Sequence, residues 1–100
     1  MNHDTVIQQI VSLLKSCQGV NEAYLFGSRS NGTAGERSDY DIAIKTNDIS
    51  DKEFNLLALK VQEDINTLHK IDVIHLNTLK NPVLLENIIS KGTLILKKFA

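Results

Sequence analysis

Apolar residues recur at helical spacing from Thr5 to Cys17, where Val6, Ile7, Ile10, Val11, Leu14 and Cys17 mark one face. Thr5 with Gln8 reads as a capping box, and Gly19 as the helix exit. Ala23 to Phe26 form a short apolar run that predicts a buried strand ending at Gly27. Ser28 to Ser38 hold few apolar residues and are punctuated by glycine, which predicts a loop with room for one helical turn. A second strand is predicted from Tyr40 to Lys45. After the polar break "TNDISD", Phe54, Leu57, Ala58, Val61, Ile65 and Leu68 predict a long amphipathic helix, with Ser50 and Glu53 as its capping box. "IDVIHL", Ile71 to Leu76, is rich in β-branched residues and reads as a third strand. "NPVLLENIISKG" reads as a helix that Asn81 caps, Pro82 opens and Gly92 ends. "TLILKK" supplies a fourth strand.

Strands alternating with helices predict an α/β (α+β) arrangement, a small mixed four-stranded sheet with helices packed on it. The expectation is a single domain over residues 1–100, since 100 residues build one core and little more. Connection lengths leave the strand order open. Composition adds exclusions: 42% hydrophobic and 23% charged residues describe an ordinary globular chain. A formal charge of −1 argues against direct nucleic-acid or anionic-membrane binding, both of which need a basic surplus. A single cysteine, Cys17, has no internal disulfide partner and falls on the first helix's apolar stripe. No apolar run approaches the roughly 20 residues of a membrane span. The opening "MNHDTVIQQI" lacks the regions of a signal peptide, so a cytoplasmic location is expected.

The chemistry concentrates in "YLFGSRSNGTAGERSDYDIAIK", residues 24–45. Residues two apart on a strand share a face, so Asp39 and Asp41 project together while Tyr40 points away into the core. Two carboxylates converging where a buried strand begins repel one another unless a cation lies between them. A hard divalent ion, magnesium above all, is the natural partner, and it commonly arrives with nucleotide phosphates. Asp72 opens the next strand and would add a third oxygen ligand if the two strands are neighbours. Upstream, Gly27 lets backbone approach a ligand closely and Ser28 adds a hydroxyl, the parts of a phosphate cradle. Each piece alone is weak: "DYD" is more often a solvated strand start, and "GS" more often a plain turn. A P-loop reading fails because Thr33 stands where that motif needs lysine.

Taken together the pieces resemble a family. Gly27-Ser28, ten residues, Asp39-Tyr40-Asp41 and a later strand acid, Asp72, are similar to the pattern of the DNA polymerase β-type nucleotidyltransferases, and among them the minimal nucleotidyltransferases. The resemblance spans the chain from first helix to last strand. It implies transfer of AMP from ATP to a hydroxyl. Gly27 and Ser28 would hold the nucleotide, and Asp39, Asp41 and Asp72 would act as catalytic residues and ligands of two magnesium ions. It also implies a partner, since many minimal members are antitoxins that bind a small helical HEPN ribonuclease toxin and adenylylate its tyrosine. Two alternatives stay open: a non-catalytic antitoxin acting by occupancy alone, and an enzyme modifying a small molecule of the aminoglycoside type. The small-molecule enzymes carry extra helical domains, for which this chain has no room.

Other polar residues carry quieter expectations. His3, His69 and His75 show no metal-ligand spacing, and His75 reads as a packed strand histidine. Asp4, Asp48, Asp51 and Asp64 read as caps or solvated helix positions. Arg29 could face a phosphate or pair with Glu36. Lys97 and Lys98 read as the solvent-facing end of the last strand.

Overall fold

The first helix, α1 (Thr5–Lys15), starts where a carboxylate meets its free backbone donors. In the computed structural model, which describes residues 4–27 and 39–98, Asp4 is that cap. Its Oδ1 accepts from the Val6 and Ile7 amides at 2.8 and 3.3 Å. The expected Thr5–Gln8 box is therefore replaced by the residue before it, a stronger capping type with an extended backbone. The helix also stops sooner than expected, with Ser16 as its C-cap, and Gly19 sits in the turn beyond. Val6, Ile7, Ile10 and Leu14 form its buried face.

Four strands follow the expected positions: β1 (Val20–Phe26), β2 (Tyr40–Thr46), β3 (Ile71–His75) and β4 (Thr93–Lys97). They form one mixed sheet in the order β3-β2-β1-β4. β1 runs antiparallel to both β2 and β4, whereas β2 and β3 are parallel. A parallel pair requires a crossover, supplied by α2 (Asp51–Asp64). Its Ser50–Glu53 capping box is complete. The apolar pattern beyond it misleads. Ile65 turns extended and still reaches the core, while Leu68 is fully exposed. The third helix, α3 (Pro82–Lys91), has Asn81 accepting from the Val83 and Leu84 amides and Gly92 at its C-cap, as expected. Leu76 belongs to a 3-10 turn after β3 rather than to the strand.

The two sheet faces are unequally covered. Val20, Ala23 and Leu25 of β1 join Tyr40, Ile42 and Ile44 of β2 in the main core, packed against α1 and α2. Each fully buried aliphatic side chain contributes about 1.5–3 kcal/mol, and Ile10, Leu14, Ile42, Ile44 and Val61 are all fully buried here. Among the described residues the opposite face has a smaller satellite cluster of Ala43, Leu76 and Ile88, flanked by Tyr24, Phe26, Ile74, Leu84 and Leu85. α3 lies on that face and buries one residue completely, Ile88. The chain end is tied back: Lys98 Nζ donates to the Cys17 carbonyl at 2.7 Å and its amide to Asn21 O at 2.8 Å. Lys98 is thus a tether between β4 and the α1–β1 turn, not a solvent-facing end. No helix among the described residues is long and apolar enough to cross a membrane.

Candidate active site

β2 alternates Tyr40, Ile42 and Ile44 into the main core, which turns Asp41 and Ala43 to the opposite face. Tyr40 is buried, and its hydroxyl donates to Asp4 Oδ2 at 2.6 Å, joining the α1 cap to the head of β2. That contact fixes the strand one residue from each aspartate. Asp39 precedes β2 and is exposed, whereas Asp41 is half-buried.

The parallel register then does what sequence could not foresee. Asp41 and Asp72 are direct partners across β2 and β3. Directly opposed like charges are unfavourable in a sheet, and the cost is visible on one of them. Burial, then the Asp72 carboxylate, then that of Asp39, push the Asp41 carboxyl above its usual range, while Lys70 pulls it down. Lys70 is the side chain that sequence reasoning passed over. It stands two residues before Asp72, the same spacing that pairs Asp39 with Asp41, and its Nζ lies 3.4 Å from Asp72 Oδ1. Both groups are well exposed, so this ion pair is weak and leaves the acidic cluster under-neutralised. Among the described residues, no group of three His, Cys, Asp or Glu side chains stands ready to hold a metal ion.

On the other side of Asp41 lies the end of β1. Phe26 pairs with Asp41, and Gly27 follows with φ +76°. A Cβ built on Gly27 would stand 2.5 Å from Asp41 Oδ2, so only glycine leaves this carboxylate its position. Gly27, Asp41 and Asp72 are therefore brought together at one end of the sheet. Ser28, with Arg29 and Glu36, lies outside the described residues.

His75 is where the sequence expected it, away from this cluster. It stacks on Phe54 at 4.1 Å with rings 7° apart, and its Nε2 lies 2.6 Å from Thr46 Oγ1. Burial lowers its pKa, opposed by Asp51. Cys17 packs beside the core and its thiol points at the Leu13 carbonyl, 3.3 Å away.

Comparison with known proteins adds the family. A chain of a toxin–antitoxin complex crystallised with AMP-PNP is 26% identical, with a TM-score of 0.73 over 92% of this chain and 73% of that one. A mutant MntA–HpeT toxin–antitoxin complex gives 27% identity and a TM-score of 0.70 over 91% and 72%. The complex of tri-AMPylated Shewanella oneidensis HEPN toxin with MNT antitoxin shares the fold, at 23% identity and a TM-score of 0.69 over 94% and 71%. No curated protein matches the sequence. Residues 8–99 match the family described as "Polymerase beta, Nucleotidyltransferase", and with the opposed aspartates and the glycine turn in place, the chain belongs to that nucleotidyltransferase family.

Proposed function

We propose that this nucleotidyltransferase is the antitoxin of a toxin–antitoxin pair and transfers AMP from ATP to a tyrosine hydroxyl of a partner HEPN toxin. The observation that carries the reading is the Asp41–Asp72 register beside Gly27, on the sheet face against which α3 packs. Solved relatives support it: one complex was crystallised with AMP-PNP, and in another the HEPN toxin is tri-AMPylated.

Magnesium fits the residues present. Asp41 and Asp72 oppose one another across the strand pair, with Asp39 acting on Asp41 and one weakly paired lysine near them. Burial first, then these carboxylates, raise the pKa of the Asp41 carboxyl. Oxygen-only donors suit a hard ion, and two carboxylates with substrate phosphates complete its shell without a protein cage. Asp39 and Asp41 would hold it on the triphosphate side, Asp41 and Asp72 on the acceptor side. Bound magnesium would neutralise charge developing on the phosphates and orient them for in-line displacement.

The protein's own groups supply the rest. Gly27 keeps Cβ atoms away so that the triphosphate can approach the backbone, and the Ser28 hydroxyl donates to it. Asp72 receives the proton of the attacking hydroxyl, since it stands at the β3 edge away from Gly27. Tyr40 and its Asp4 bond hold the β2 head still. Placing the acceptor at about 3–3.5 Å and in line carries much of the rate. The partner protein would supply that placement as it docks, and so be the substrate as well.

The test mixes the purified pair with ATP and magnesium and measures intact masses. One or more AMP units should appear on the partner, and none with Asp41→Asn. A partner that stays unmodified yet inhibited would replace transfer with occupancy.

A further inference from the structure

The strand order gives the reaction a direction across the sheet. Asp72, Asp41 and Phe26 are consecutive partners on β3, β2 and β1, each step about 4.8 Å. If the hydroxyl attacks from the Asp72 side, an in-line displacement expels its leaving group toward Gly27 and beyond. Beyond Gly27 is a cleft of about 300 Å³ between the end of β1 and α3. Phe26, Leu84 and Ile88 line it with apolar surface, and Gly27, Asn87 and Lys91 bring polar groups. Leu84, Asn87, Ile88 and Lys91 follow the i, i+3, i+4, i+7 spacing of one helix face. Leu84 and Ile88 turn toward the protein, and Asn87 and Lys91, both exposed, edge the cleft beside them. The α3 dipole favours a cation in the last turn but does not select the face that borders Gly27. Gly92 completes the wall. A Cβ there would collide with the Ile88 carbonyl and lie 3.2 Å from Leu25 O, so glycine lets the end of α3 close on β1.

We infer that this cleft seats the β- and γ-phosphates of the nucleotide, with Lys91 as the cation that receives the leaving pyrophosphate and Asn87 as a neutral donor beside it. This rests on the nucleotidyl transfer proposed above. In the step, the acceptor oxygen bonds to the α-phosphorus while the bond from that phosphorus to the bridging oxygen of the β-phosphate breaks. The acceptor proton passes to Asp72, the bridging electron pair leaves with pyrophosphate, and AMP stays on the acceptor. Charge accumulates on the departing oxygens, where a lysine beside apolar surface is worth more than one in open water. Phe26, Leu84 and Ile88 provide that surface.

The experiment compares wild type, Lys91→Gln and Lys91→Arg by magnesium-dependent binding of AMP-PNP, pyrophosphate and AMP. Lys91 is exposed, and melting curves establish that all three chains are folded. Lys91→Gln should weaken pyrophosphate and AMP-PNP about ten- to a hundredfold and leave AMP unchanged, as expected for losing one charged hydrogen bond. Lys91→Arg should restore most of the loss. Unchanged pyrophosphate binding in Lys91→Gln, with AMP-PNP still bound by wild type, overturns the inference alone. Equal weakening of AMP and pyrophosphate overturns it too, since the lysine would then act on the whole site. A wild-type protein that binds neither AMP-PNP nor pyrophosphate removes the transferase reading and this one with it.

Discussion

Replacing Gly27 separates two demands that the fold places on one residue. At φ +76° an alanine enters the left-handed region, at a cost of about 1–2 kcal/mol. Its Cβ also meets Asp41 Oδ2 at 2.5 Å, so the carboxylate must swing away. A side chain driven off its rotamer by about 30° adds about 0.5–1.5 kcal/mol. Together they amount to about 2.5 kcal/mol, which in a domain of this size lowers the melting temperature by roughly 10–20 °C. Asparagine tolerates positive φ far better but carries the same Cβ. Gly27→Asn should therefore recover much of the stability and none of the activity. Thermal melts of both variants, beside AMP transfer to the partner, test the two demands independently. Gly27→Ala melting with wild type would refute the backbone argument. Gly27→Asn transferring AMP at the wild-type rate would refute the argument that Asp41 must stay where glycine leaves it.

Asp41→Asn should abolish transfer and make the metal-free protein more stable at neutral pH. The folded carboxyl titrates above its unfolded value, so ionisation costs stability as pH rises and the cost vanishes as pH falls back through the carboxylate range. The stability gap between variant and wild type should close in acid, and a gap constant from pH 7 to pH 3 would contradict the charge argument. His75 has the opposite sign. Its lowered pKa makes the folded state resist protonation, so stability is full above the usual histidine value and declines as pH falls through it. His75→Phe keeps a ring against Phe54 and should flatten that decline in melts between pH 7 and pH 5. An unchanged slope would assign it to another group.

Local signals in the sequence were legible. The Ser50–Glu53 box, the Asn81 cap with Pro82, and Gly92 act within one turn of themselves, and each lies where it was read. Boundaries decided at a distance were not. A register shift between Val20 and Glu22 breaks the period-two pattern, so β1 begins three residues before its readable part. Leu68 continues the α2 spacing by coincidence, because Ile65 had already left the helix and no glycine marks the stop. The spacing of Asp39 and Asp41 pointed to a site. Setting Asp72 opposite Asp41 required a parallel pairing spanning 31 positions of sequence, from 41 to 72, and nothing local encodes it. Lys70 was missed for the same reason, although its place two residues before Asp72 was visible. The loop read over Ser28 to Ser38, with the Ser28 hydroxyl, lies outside the described residues.

The uneven burial of the two sheet faces sets an order of opening. α1, α2 and the sheet share the main core and should exchange their amide hydrogens only on global unfolding. α3 is fastened by Ile88 and a few half-buried neighbours, while Val83 and Ile89 remain 67% and 57% exposed. Its amides should therefore exchange through a cheaper, sub-global opening that leaves the sheet folded. That helix is also the wall of the cleft beyond Gly27. A ligand bridging the sheet and α3 would close this opening, and the added protection of residues 82–91 would read out its binding free energy without any chemistry taking place.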